Sequence, residues 1–441
     1  MKASKYNLFI REEGGYILFN TLSKGLFYVD EEMASAIRDG HFHLIPFSFL
    51  NDLIDRGIVL EEKYDELQIV KAVYWREKFQ RDRLGVTILP TYKCNLECTY
   101  CSQGKRKAAY DMSEEIAEKT YEWTVSQIEA ANFRHLDIVF YGGEPFLNKE
   151  VLLYISRKFK EYCEKASLGF SISIITNGTL LSPLLVKELL NLNLSHLQIT
   201  LDGPPEIHDK RRVTKRGKGT FSTIFNNVLR LIEISSRLRL TIRINVDQQN
   251  YLYVFPFIDF LQRNGIFKFS NVDIDIGMVD ITNCNRAYKK NVLSDREVIY
   301  FFKDYVNYLN SCSIESLKSS FTRIPGYPTF CGMVTANSFA IDPLGRIYKC
   351  LELLNIDLFC LGNVEEGIST YKHLWWLSAS PFEDPKCLAC VLLPLCGGGC
   401  TAHAFFRYRD LYKRVCPWQT QIIEDIIKYR VKTLYANKLR I

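Results

Sequence analysis

The stretch "GVTILPTYKCNLECTYC", Gly85–Cys101, decides how this chain is read. Its first half is a strand-like run rich in apolar and β-branched residues. Its second half sets three thiols, Cys94, Cys98 and Cys101, close together with no fourth cysteine nearby. Three thiolates at this spacing cannot complete a tetrahedral zinc site alone. They can hold three irons of a cubane [4Fe–4S] cluster and leave the fourth iron open. An open iron is useful only where something else binds it.

Working outward, five more strand-like runs follow: "LDIVFY" (136–141), "FSISIIT" (170–176), "HLQITL" (196–201), "LTIRINV" (240–246) and "VDIDIGM" (272–278). Helix-like segments separate them, such as "SEEIAEKTYEWTVSQIEAAN" and "NKEVLLYISRKFKEYCEKA". Six βα units predict an α/β fold with a parallel sheet, a partial (β/α)6 TIM barrel, because parallel strands need a crossover helix. Such folds work at the carboxyl ends of their strands. There stand the three cysteines, then "GGEP" (Gly142, Gly143, Glu144, Pro145), Asn177 in "TNGTLL", "DGPPEIHDKRR" from Asp202, and "DQQN" from Asp247. Gly, Pro, Asn and Asp also turn the chain in any α/β protein, so each loop alone is weak. Arg243 in mid-strand is odd for a largely buried barrel strand; an ion pair with Asp202 or Asp247 is the structural alternative.

Residues 1–80 read as a separate winged-helix-like module: a hairpin (Tyr16–Asn20, Gly25–Asp30), the helix "EEMASAIRDG", and a helix and short strand in "FLNDLIDRGIVLEE". The barrel is expected over 85–315 and a cysteine-dense region over 320–441, ending in an amphipathic helix. The chain has 441 residues, 14 cysteines and a formal net charge of +6. Disulfides suit small secreted chains; this length, with no signal-peptide-like start, predicts a cytoplasmic protein whose cysteines serve metal or redox chemistry. No apolar run is long enough to span a membrane. The mild basicity is far from that of a dedicated nucleic-acid binder.

The first motif resembles the radical S-adenosylmethionine (SAM) superfamily, whose C-x3-C-x-Φ-C signature is matched by Cys94, Cys98, Tyr100 and Cys101. The resemblance implies that the open iron chelates SAM and that an electron from the cluster yields a 5′-deoxyadenosyl radical, which abstracts a substrate hydrogen. It also implies that Gly142–Pro145 meet the SAM amino group, that Asn177 faces the ribose or amino acid part, and that Thr220 and Arg243 serve the carboxylate. A carboxylate and exposed backbone suit an ammonium. His208 is expected to be structural and Cys163 an inert core thiol. Downstream, Cys387, Cys390, Cys396, Cys400 and Cys416, with Cys331 and Cys350, look like a SPASM domain. That likeness implies two auxiliary [4Fe–4S] clusters, three in all. Cys387, Cys390, Cys396 and Cys416 would hold the distal one; Cys331, Cys350 and Cys400 the nearer one, its fourth ligand open among Cys312, Cys284 and Cys360 or left to substrate. A zinc ribbon is the structural alternative.

SPASM enzymes mostly modify peptides or proteins. The N-terminal extension resembles a leader-peptide recognition element, which binds a leader as an added strand. Leu351 stands where sulfatase-activating enzymes place an Asp, with Glu352 next, a weak base candidate. The reading is an oxidoreductase: a maturase of ribosomally made precursor peptides (RiPPs) that installs a thioether, carbon–carbon or ether crosslink, supplied with electrons by a flavodoxin or ferredoxin. The alternatives are a formylglycine-generating enzyme of the anaerobic sulfatase-maturase type and a non-catalytic iron–sulfur or zinc protein. Basic stretches at 104–107 and 209–220 are expected at the mouth, as an attractor for an acidic peptide or as a solvated rim.

Overall fold

The computed structural model describes all residues except 102–109, 281–285, 315–316, 318–328, 330 and 436–441. The chain forms two compact units. The smaller joins residues 1–79 to 321–335 and 377–441; the larger joins 80–320 to 336–376.

In the smaller unit, β1 (Lys2–Ala3) pairs with β5 (Val59–Leu60), and β2 (Asn7–Glu12), β3 (Gly15–Asn20) and β4 (Leu26–Val29) form an antiparallel sheet in that order. The expected hairpin is β3–β4; β2 is an addition. Three helices accompany the sheet: α1 (Glu31–Arg38), α2 (Phe47–Asp55) and α3 (Glu66–Lys78). Asp30 and Asp65 cap α1 and α3 by accepting from backbone N–H groups of the first turn. The central strand β3 is buried on both faces. Leu18 packs with Ile37, Leu53 and Val59. Ile17 and Phe19 pack with Leu395, Ile423 and Ile427 of the C-terminal segment, whose last helix is Ile423–Tyr435.

The larger unit contains all six expected strands: β6 (Arg83–Ile88), β8 (His135–Phe140), β9 (Gly169–Thr176), β10 (Leu194–Thr200), β12 (Arg239–Val246) and β13 (Val272–Met278). They run parallel in the order β13-β12-β10-β9-β8-β6. Two further short strands, β7 (Leu96–Cys98) and β11 (Arg212–Thr214), pair with each other above the sheet. Beyond β6 the sheet continues through β14 (Ser338–Ile341), β15 (Arg346–Tyr348), β16 (Gly362–Asn363) and β17 (Gly367–Ile368). These four come from a region whose sequence shows little periodicity. The crossover helices include α4 (Glu114–Ala131), capped by Ser113, and α5 (Lys149–Lys165), which buries Cys163 as a core thiol.

The strands alternate with period two. One face carries Val86, Ile138, Ile172, Leu197, Ile242 and Ile274, all buried. The register places Asp137, Ser171, Thr241, Arg243 and Asp275 on the other face. A parallel sheet covered on both faces would read as continuous apolar runs. This one is open and polar on its second face. That corrects the expectation for Arg243: it is half-buried and pairs with Asp275 on the neighbouring strand, not with Asp202 or Asp247. Gly277 leaves room for it, since a Cβ there would meet the Arg243 guanidinium.

Candidate active site

The cysteine loop leaves β6 at the carboxyl rim and is held by the β7–β11 ladder, which sets Cys98 opposite Arg212. The Leu96 N–H donates to Cys94 Sγ at 3.4 Å, and Asn177 Nδ2 lies 3.9 Å from the same sulfur. Burial pushes the Cys98 thiol up to about 12; Arg212 opposes this, and Cys101 and Cys94 add to it. The three sulfurs are therefore electrostatic neighbours in a desolvated place. Among the described residues, no three His, Cys, Asp or Glu side chains close on a single metal-ion position. A cubane spreads its thiolates over separate irons and asks for a wider triangle. The donor set fits such a cluster: three thiols, a donated N–H on one sulfur, and a cation beside another.

The glycines explain how the next loop reaches the cysteines. A Cβ on Gly142 would stand 2.5 Å from the Thr91 carbonyl, and one on Gly143 would run into the Lys93 carbonyl. Only bare backbone lets the loop after β8 lie on the loop after β6. Their contact is made by Gly143 N–H to Thr91 O (3.1 Å) and Glu144 N–H to Lys93 O (2.9 Å). The Glu144 carboxylate is fully buried. It accepts from the Thr176 hydroxyl (2.8 Å), the Asn177 N–H (2.8 Å) and the Phe146 N–H (3.2 Å). Burial pushes it up to about 6 against these donors. So the carboxylate is occupied within the protein. Asn177 also donates to Asn95 Oδ1 (2.8 Å), tying the third strand's loop to the cysteine loop.

The loop after β10 brings two arginines inward. Arg211 is buried between Asp247 (2.6 Å) and Asp202 (3.7 Å). Arg212 is buried too, donates to the Tyr100 hydroxyl (2.7 Å), and has no partner at Nε. Tyr100, the aromatic position of the motif, donates to Asp202 (2.6 Å) and accepts from Asn245 (3.1 Å). Tyr288, beyond the sixth strand, donates to Asp247 (2.7 Å) and packs near Tyr100. Each aspartate is thus in direct contact with Arg211. Arg212 reaches Asp202 only through the Tyr100 hydroxyl and at longer range, with Cys98 as a further electrostatic neighbour.

His208 is structural, as expected. Its Nδ1 accepts from the Asp202 N–H (3.2 Å), and its Nε2 meets the Thr220 hydroxyl (3.1 Å). That hydroxyl in turn donates to the Arg212 carbonyl (2.7 Å). Burial and Arg212 push His208 down to about 3, so it is neutral. Thr220 fixes the backbone of Arg212, and its hydroxyl is used within the protein. Arg212 and Tyr288 were not singled out from sequence. Arg212 stood inside a loop read as a basic rim, and composition cannot show which arginine turns inward. Within 209–220, Lys215, Arg216 and Lys218 are exposed while Arg211 and Arg212 are not. The other basic stretch, 104–107, lies outside the described residues.

Among the C-terminal thiols, Cys387, Cys396 and Cys416 are electrostatic neighbours, and Cys390 neighbours Cys396. Burial pushes Cys387 up to about 12 and Cys396 to about 11. The Leu392 N–H donates to Cys390 Sγ (3.4 Å). A four-thiol group with two desolvated members, an exposed Cys416 and an N–H on one sulfur also fits a cluster. Cys331 accepts from the Met333 N–H (3.4 Å). Cys331 and Cys400 belong to the smaller unit; Cys350, Glu352, Cys312 and Cys360 belong to the larger. Cys284 lies outside the described residues.

Comparison with known proteins shows what the chain is similar to in sequence and fold. The radical SAM superfamily matches residues 88–250. The radical SAM cyclopropyl synthase TigE of Paramaledivibacter caminithermalis is 23% identical over 478 residues, covering 98% of this chain and 96% of its own. A cysteine-type anaerobic sulfatase-maturating enzyme of Clostridium perfringens (strain 13 / Type A) is 26% identical over 338 residues, covering 70% and 85%. In fold, native anSMEcpe with bound AdoMet and Cp18Cys peptide has a TM-score of 0.63 at 21% identity, covering 81% of this chain and 100% of that one. Streptococcus suis SuiB bound to precursor peptide SuiA has a TM-score of 0.53 at 17% identity, covering 94% and 99%. The three-thiol loop lies inside the matched residues, on the carboxyl rim where the sheet's loops converge. Residues 88–250 therefore match the radical SAM superfamily, and the chain that carries them is similar over most of its length to radical SAM enzymes that act on peptides or proteins.

Proposed function

We propose that this enzyme is a peptide maturase that takes a hydrogen from a ribosomally made precursor peptide and installs a crosslink between its residues. The observation that carries the reading is Arg212: a buried guanidinium neighbouring the Cys94 and Cys98 thiols, with an orphaned Nε and no direct ion pair among the described residues. A buried charge of this kind calls for an anion, and the SAM carboxylate is the anion that the superfamily brings to a three-cysteine loop. Cys94, Cys98 and Cys101 would hold the cluster, and the backbone of Gly142–Glu144 would receive the ammonium. Asn177 would keep its position between Cys94 and the cofactor. When bound, cluster and SAM supply a reductively generated adenosyl radical. Arg212, held by Thr220 from behind and by Tyr100 from the side, would fix the carboxylate before that electron arrives.

The peptide part rests on two supports. The cyclopropyl synthase relative matches nearly the whole chain. And β4 is an edge: it pairs with β3 alone among the described residues. An open edge next to helices suits a leader added as a strand. Cys387, Cys390, Cys396 and Cys416 would hold an auxiliary cluster, the class of group that takes up the electron a crosslink formed by loss of two hydrogens must shed. A flavodoxin or ferredoxin would feed the site. The sulfatase-maturase reading is favoured by the C. perfringens relative. One experiment separates them: anaerobic reaction of the reconstituted enzyme with SAM, reductant and either a leader-bearing precursor peptide or a sulfatase-derived Cys or Ser peptide, followed by mass spectrometry. A leader-dependent loss of two hydrogens supports the maturase; formylglycine in a sulfatase peptide, with no leader requirement, supports the alternative. Absence of 5′-deoxyadenosine in both reactions would sink both.

A further inference from the structure

The smaller unit holds one buried and one partly buried cation that the proposed SAM chemistry does not use. Lys78, the last residue of α3, is 1% exposed. Its ammonium donates to the Ala379 carbonyl (2.7 Å) and the Tyr74 hydroxyl (3.3 Å), over the rings of Tyr74 and Trp75. The guanidinium of Arg414 donates to the very next carbonyl, Ser380 (2.6 Å), and its buried Nε has no partner. Neither cation forms a direct ion pair with a carboxylate among the described residues; Asp384 and Asp410 act on Arg414 only at longer range. Two like charges on consecutive carbonyls repel each other, and burial together with Arg414 pulls Lys78 down to about 7. Such a pair is costly unless an anion lies close.

The chain around them says where that anion belongs. Shortly after Ser380, Asp384 caps the helix Pro385–Leu388 that carries Cys387. Arg414 stands two residues before Cys416 and is an electrostatic neighbour of Cys387. Cys387 itself packs against the apolar cluster of Tyr6, Leu393 and Val70 of α3, and Val70 stands one helical turn from Tyr74. A cubane held by four thiolates is a net anion, and nearby positive charge favours its reduced, more negative form.

We propose that Lys78 and Arg414 are the charge partners of an iron–sulfur cluster held by Cys387, Cys390, Cys396 and Cys416, and that they raise its reduction potential. The inference rests on the proposed cluster at those four thiols. It makes α3 of the N-terminal module part of the electron-accepting site, as a positioning element whose charge acts on the cluster without ligating it.

The test uses the full chain reconstituted anaerobically in a Cys94, Cys98 and Cys101→Ala background, so that auxiliary clusters alone are read. Iron is counted with and without Cys387→Ala and Cys396→Ala, and the reduced cluster's paramagnetic resonance is followed in a redox titration with dithionite. Iron that the two cysteine substitutions leave unchanged would overturn the cluster and this inference together. With the cluster present, Lys78→Met and Arg414→Met should each shift the reduction equilibrium about tenfold toward the oxidised form, about 59 mV for a one-electron couple. Lys78→Arg should leave it in place. A cluster that forms in the Met variants at the wild-type potential would overturn the inference alone. Should Lys78→Met fail to take up iron, retention in Lys78→Arg supports the charge role, and loss in both variants assigns Lys78 to packing and overturns it.

Discussion

Arg212 shows how much one side chain's surroundings decide. Its neighbours are the Tyr100 hydroxyl and the Cys98 thiol, and Asp202 and Asp247 make their direct ion pairs with Arg211. Arg212→Met should weaken SAM binding by about 2 kcal/mol, the worth of a charge-assisted hydrogen bond in a desolvated place. That is about thirtyfold in Kd by equilibrium dialysis, with the iron content of the cysteine loop unchanged. Behind it, His208 makes a separate prediction. Its folded value, about 3, lies below the ordinary 6.5, so folding favours the neutral ring. The stability it contributes is complete above about 6.5 and is lost as pH falls toward 3. In the cluster-free chain, thermal melts should show a steeper decline over that window than His208→Gln does. An unchanged slope would mean the ring titrates freely. The cysteine spacing and the glycine pair were legible in the sequence because both are local. Arg212 was not, because burial of one arginine in a run of basic residues is a property of the fold.

At the scale of elements, the site is a stack of rim loops. The β7–β11 ladder joins the cysteine loop to the arginine loop, and the "GGEP" segment lies backbone on backbone against the residues before Cys94. Gly143→Ala should therefore push the cysteine loop away, since its methyl would meet the Lys93 carbonyl and neither strand end can yield cheaply. The expected result is a loss of about four irons per chain on reconstitution, with the secondary structure retained by circular dichroism; full iron uptake would refute the packing argument. The six strands were readable because each alternates or runs apolar between helical segments. The ladder was not. Its strands, Leu96–Cys98 and Arg212–Thr214, are three residues each, too short for any periodicity, and they exist only because two loops meet. The polar face of the sheet was likewise hidden: Arg243 looked misplaced until register showed Asp275 beside it.

At the scale of the molecule, the N-terminal sheet and the C-terminal segment share one core. Ile10, Ile17 and Phe19 are buried against Leu395, Ile423 and Ile427. Removing residues 1–79 would expose these apolar side chains, at about 1.5–3 kcal/mol for each large one. The truncated chain should aggregate on size exclusion and lose iron beyond that of the SAM-binding cluster; a monomeric truncation with full iron would show the shared core to be dispensable. Leader binding is for that reason better tested on the β4 edge than by excision. The sequence by itself determined the class of chemistry and the strand succession, because a three-cysteine loop, bare-backbone glycines and period-two strands act within a few residues of one another. The tertiary structure alone decided which charges face inward, which aspartate serves which arginine, and that residues near the two ends of the chain bury each other. Those outcomes depend on the desolvation of groups brought together from distant positions, and no local pattern encodes that.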